Sequence, residues 1–157
     1  MLDHLLPRTI DNDYRGQKAA LWLLGLLLLM KTSMGLNSIL NGYKVATSAD
    51  GIPLDTYPPA AARTIVALFG IWGLGHFMIC LLGILVLIRY RRMVPFIFAL
   101  FLFEQLSRKL ILQFRPIVRT GNPPASAINL ALLALMVVGL ALSLWSRGNV
   151  QVRDSPD

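Results

Sequence analysis

Three ionisable side chains, Lys31, His76 and Glu104, fall within long apolar stretches of this chain. At membrane depth a lysine and a carboxylate can close an ion pair or exchange a proton, and a nearby imidazole can relay it. Counting helix rise per residue, Lys31 lies about 20 Å beyond Lys18, Glu104 about 18 Å beyond Arg92, and His76 about 20 Å before Arg89. All three therefore belong to one level near the bilayer middle. A charge at that depth costs at least ~2.5–3.5 kcal/mol, so such groups turn inward and find partners. Lys31 with Glu104 is the expected pair, and His76 the third member. The functional expectation is a proton or ion relay, or a site for a polar head group. The competing expectation, which we favour, is an ion pair that sets helix packing, because buried pairs can serve specificity without chemistry.

A second group follows Glu104 on the same stretch. At 100° per residue, Arg108 lies about 40° and Arg115 about 20° from Glu104, so the three share one stripe. Arg108 is also placed to compete with Lys31 for the carboxylate, since Glu four residues before a cation is the favourable order. Arg108 and Arg115 could contact an anionic head group at the outer leaflet, although anchoring of the helix end is the favoured expectation. Lys109 points away from this stripe, with its ammonium reaching water. Gly73, His76, Cys80 and Gly83 share one narrow arc, and Met136, Gly139, Ser143 and Ser146 share another; small residues so placed let helices approach closely. Asn37, Ser38 and Asn41 are expected to hydrogen-bond across helices or to line a wet vestibule.

Other chemistries find no support. There is no phosphate-binding glycine loop, nucleophile elbow or His-x-x-x-His, and His76 lacks a second ligand at helical spacing. No catalytic residue, metal or cofactor is expected, and the reading leans away from an enzyme. The single cysteine, Cys80, excludes an internal disulfide and a Cys-x-x-Cys relay. A net charge of +7 would ordinarily suggest nucleic acid, but the arginines and lysines lie mostly beside apolar blocks, where they set topology and meet lipid head groups. The expected partners are the bilayer and a second copy or another membrane protein, not nucleic acid.

The elements that position these residues are membrane spans. Of 157 residues 55% are apolar and 15% charged, and the apolar ones gather in blocks long enough to cross a hydrocarbon core. Spans are expected at about 19–40, 61–88, 94–114 and 127–145, within a single integral membrane domain over 1–157. The second exceeds a perpendicular crossing, so it tilts or extends past the interface. An uncleaved first span is preferred over a signal peptide, because the small residues near Ala46 to Ala49 lie too far from the apolar block. Pro53, Pro58 and Pro59 make the first loop irregular, and Gly121 to Pro124 form a turn cluster. The run Arg89-Tyr90-Arg91-Arg92 in a very short loop belongs in the cytoplasm. With it go Arg8, Arg15, Lys18, Arg147 and Arg153, against Lys44, Arg63, Arg115 and Arg119 outside, so both termini are expected to be cytoplasmic. Trp22, Tyr90 and Trp145 suit interface anchors. The fold class is an all-α, four-transmembrane-helix antiparallel bundle.

Arg63, the Gly70/Gly73/Gly75 run, Arg89 to Arg92, Arg108 and Gly121 to Pro124 occur in a layout that resembles small bacterial DoxX-like inner-membrane proteins. The resemblance spans roughly residues 19–146. It implies a four-helix bundle in the bacterial inner membrane and transfers no catalytic residue. The leading functional expectation is an accessory or oligomeric membrane-bundle protein. Alternatives are a small proton-coupled transporter or carrier using Glu104, and a quinone- or lipid-modifying membrane enzyme with His76 as base.

Overall fold

A computed structural model of the chain describes Asn12, Tyr14 and residues 16–121 and 123–145; among these the protein is all-helical, without strands. Expectations for Arg8, Arg15, Asn122, Ser146 and the tail from Arg147 lie outside the described residues. Four long helices carry the chain: α1 (Lys18–Leu40), α2 (Pro59–Arg89), α3 (Val94–Phe114) and α4 (Pro124–Leu144). The last three each have proline in the first turn, where a missing N–H is no loss. Helix α3 stops at Arg115, which sits at φ −131° because Pro116 disfavours helical backbone in the residue before it.

Helices α1, α2 and α4 are each long and apolar enough to cross a membrane. At its 31 residues α2 reaches about 46 Å, well beyond a hydrocarbon core about 30 Å thick. Helix α3 is as long as α4, at 21 residues, but Glu104, Gln105, Ser107, Arg108 and Lys109 crowd its second half. The outward surface is apolar: Leu29, Ile71, Phe103 and Leu130 are all exposed, as is Trp22 at 83%. Lipid satisfies such a surface; water would not.

Helix α1 packs most extensively on α2; α3 packs on α4 and α1 on α4, whereas α2 and α3 touch only sparsely. Leu24, Leu27, Leu28, Ile97, Phe98, Phe101, Leu132 and Met136 form the shared core. In lipid that core is held by close packing more than by the hydrophobic effect. Gly73 shows how close: a Cβ there would stand 2.8 Å from the Gly35 carbonyl oxygen and 2.8 Å from Ser38 Cβ. Gly83 faces Leu28, and Gly139 lies under the Phe98 ring.

The chain returns to where it starts. The Gln17 N–H donates to the Leu142 carbonyl at 3.1 Å, so α1 begins beside the end of α4. Tyr14 donates to the Gln17 carbonyl at 3.1 Å, and burial pushes its phenol up to about 12, which keeps it a donor at neutral pH. At the other end the two loops clasp. The Thr120 N–H and hydroxyl both donate to the Gly51 carbonyl, at 2.7 and 3.2 Å. Gly51 makes this turn at φ 71°, where a side chain would be strained. A small satellite core of Ala46, Ile52 and Leu54 seats the first loop on Ile65, Val66 and Phe69 of α2.

Candidate functional site

Lys31 and Glu104 meet. The Lys31 Nζ donates to Glu104 Oε2 at 3.0 Å, with the lysine side chain 2% exposed and the glutamate 20%. The ammonium also lies 4.8 Å from the centroid of the Phe101 ring, whose π face adds to its stabilisation. His76 occupies the neighbouring part of α2 but turns elsewhere. It stacks on Trp72, four residues earlier on its own helix, with centroids 5.6 Å apart and planes at 28°. Among the described residues it makes no hydrogen bond to Glu104 or Lys31. It lies on the arc of α2 that packs against Gly35 of α1, near enough to Lys31 and Glu104 to interact with them electrostatically though not through a hydrogen bond.

Arg108 is organised separately. Its guanidinium carbon lies 5.5 Å from the Trp72 ring centroid, so the indole contacts both His76 and Arg108. The Arg108 Nη2 donates to Gln105 Oε1 at 2.7 Å and to Asn129 Oδ1 at 2.9 Å. Gln105 is 1% exposed, and its Nε2 donates to the Asn129 carbonyl at 3.3 Å, so both amides are oriented by the bonds they make. Three helices thus hold the guanidinium: α2 through Trp72, α3 through Gln105 and α4 through Asn129. Among the described residues no carboxylate is in ion-pair contact with it. Its Nη1 and Nε keep donors that no described group accepts.

These residues line a half-open cavity of about 1230 Å³. Leu68, Phe69, Leu106 and Leu130 supply apolar wall, Trp72, Gln105, Arg108 and Asn129 line its polar part, and Asp50 and Arg119 reach it from the clasped loops. The cavity exists because α2 and α3 barely touch beyond their hairpin. Lys31, His76 and Glu104 do not line it. Burial pushes the Asp50 carboxyl above the usual carboxylate range, with Arg119 and then Arg108 opposing that shift.

The remaining candidates are simpler. Arg115 and Lys109 are exposed, and Arg115 stands at the end of α3 away from the Gln105–Asn129 network. Arg108 does not take the Glu104 carboxylate, which Lys31 holds. Asn37, Ser38 and Asn41 bond within α1: Asn41 Nδ2 donates to Asn37 Oδ1 at 2.8 Å, and Ser38 to the Met34 carbonyl at 3.0 Å. No cluster of His, Cys, Asp or Glu among the described residues could hold a metal ion. Sequence reasoning missed Trp72, Gln105, Asn129 and Asp50. Asn129 carried the clearest signal, as an amide inside the otherwise apolar run of α4. No protein-family model, curated protein or solved structure matches the chain.

Proposed function

We propose that this chain is a four-span protein of the bacterial inner membrane, with both termini in the cytoplasm, that holds a membrane-dissolved amphiphile in the cleft beside Arg108. Proximity of the α1 start to the α4 end supports an even number of crossings, and the arginines of the α2–α3 hairpin support its cytoplasmic placement. α3 as the fourth span is supported by the partners its polar groups have: Lys31 for Glu104, and Gln105 and Asn129 for Arg108. A DoxX-like relationship would fit this layout and adds no activity to it.

The observation that carries the reading is a fixed cation, in ion-pair contact with no carboxylate among the described residues, lining a mostly apolar cavity of about 1230 Å³. Pockets that bind amphiphilic ligands combine such walls with a few placed polar groups. Catalysis is not part of the reading, because among the described residues nothing beside Arg108 is arranged as a nucleophile or base. Action as an accessory or homo-oligomeric bundle would need a surface other than the glycine arcs, since Gly73, Gly83 and Gly139 already face neighbours within the chain.

Native mass spectrometry from mild detergent tests the proposal. Wild-type protein is expected to carry an amphiphile that Ser126→Trp, which places an indole in the cleft, has lost. If the wild type is bare and stays bare after lipid is added back, the proposal fails.

A further inference from the structure

We propose that the cleft selects an outer-leaflet lipid with a net negative, phosphate-bearing head group, which Arg108 receives; this rests on the reading of the cleft as a binding site. The first ground is charge. Arg108 is held by two neutral amides and an indole, so its positive charge is oriented without an ion-pair contact among the described residues. A guanidinium so fixed presents its free donors to phosphate oxygens with little further ordering. Lys109 and Arg119 stand at the same cavity and Asp50 is the acid there, so positive groups outnumber negative ones.

The second ground is depth. Arg108 precedes the end of α3 at Phe114 by six residues, or about 9 Å along the helix. In a spanning α3 of about 31 Å that lies inside the outer half of the hydrocarbon, so the head group that Arg108 receives is drawn below the interface into the cleft. The third ground is shape. Between the sparsely touching α2 and α3, Leu68, Phe69, Leu106 and Leu130 line the same cavity as Arg108 and give it an apolar wall. A soluble anion would use the guanidinium and leave that wall unfilled. A lipid fills both.

The experiment uses the full chain with Trp22→Phe and Trp145→Phe, leaving Trp72 as the one indole, in phosphatidylcholine nanodiscs. Chain-brominated phosphatidylglycerol or chain-brominated phosphatidylcholine is titrated in, and quenching of Trp72 reports occupancy. The anionic lipid is expected to quench at about tenfold lower mole fraction, the value of one charge-assisted contact. Arg108→Gln is expected to abolish that preference and Arg108→Lys to keep part of it. Arg119→Gln, an exposed change, is expected to reduce it while leaving the helices intact. Excess inorganic phosphate is expected to leave quenching unchanged.

Equal quenching by both lipids, or a preference that survives both Arg108→Gln and Arg119→Gln, overturns the head-group assignment and leaves the cleft reading standing. Displacement by inorganic phosphate overturns it in favour of a free anion. Absence of quenching by either lipid removes the cleft reading itself.

Discussion

Replacing Glu104 by Gln takes the charge from the group that compensates Lys31 while keeping an oxygen to accept its hydrogen bond. Lys31 is 2% exposed, so its ammonium has no route to water without a helix moving. Breaking a buried pair by removing one partner costs about 3–5 kcal/mol, most of it from the charge left behind. The retained hydrogen bond and the Phe101 ring at 4.8 Å offset part of that, which puts the expected loss near the lower bound, about 3 kcal/mol. Lys31→Met should cost about as much, because the carboxylate it strands lies at membrane depth, where 20% exposure does not bring water. The double variant should resemble Lys31→Met, which gives a coupling energy within the ~0.5–3 kcal/mol seen for contacting residues. Equilibrium unfolding in mixed detergent micelles, followed by helicity, measures all three. If the two single losses simply add in the double variant, the pair does not hold the helices and the reasoning is wrong. If Glu104→Gln keeps wild-type stability yet abolishes a proton-coupled flux in vesicles, the pair belongs to a relay instead.

Gly73→Ala should destabilise by about 1–3 kcal/mol in the same assay, because the new methyl would meet the Gly35 carbonyl and Ser38 Cβ at 2.8 Å. Gly70→Ala meets nothing within 4 Å and should be neutral or stabilising by up to about 1 kcal/mol; equal losses at the two positions would deny that α1 and α2 touch through Gly73. Asp50 has its carboxyl raised above 3.8, so the folded protein holds this proton more tightly than the unfolded chain does. Its contribution to stability is therefore full below 3.8 and falls as pH rises through the raised value, a slope that Asp50→Asn should remove. At neutral pH Asp50→Asn also deletes a negative charge near Arg119 and Arg108, and should tighten anionic-lipid binding by up to about fivefold. Weaker binding would show that Asp50 contacts the ligand rather than competing with it.

The helices were legible wherever local chemistry decides. Pro95 opens one helix and Pro116 ends it through backbone sterics that act within a residue or two, whereas Pro59 and Pro124, expected in loops, prove to open α2 and α4. The level shared by Lys31 and Glu104 was legible too, because helix rise needs no knowledge of packing. Facing is different. His76 shares that level, yet its ring goes to Trp72, since which arc of α2 meets α1 depends on where Gly35 and Gly73 let the backbones approach. The polar end of α1 misled for a related reason. Asn37, Ser38 and Asn41 could satisfy themselves along their own helix, and did.

The Arg108 site was hidden in its partners but not in its charge. A helical wheel sees Glu104 and Arg108 on one stripe and pairs them, having no knowledge of α1 or α4. Yet Glu104 is the one acid within the four long helices, while Lys31 and Arg108 both lie inside their ends. One carboxylate cannot neutralise Lys31, Arg108 and the neighbouring Lys109 together, so the others had to be left with neutral partners, with water or with a counter-ion from outside the chain. Lys31, the more buried, takes the carboxylate at 3.0 Å. Arg108 then keeps its charge without the carboxylate, and the fold gives it two amides, an indole face and an apolar-walled cavity. Packing and binding are in this sense one competition. The ion pair that fixes α1 against α3 is what leaves the guanidinium available, and a second acid on α4, introduced as Asn129→Asp, would close the site from within.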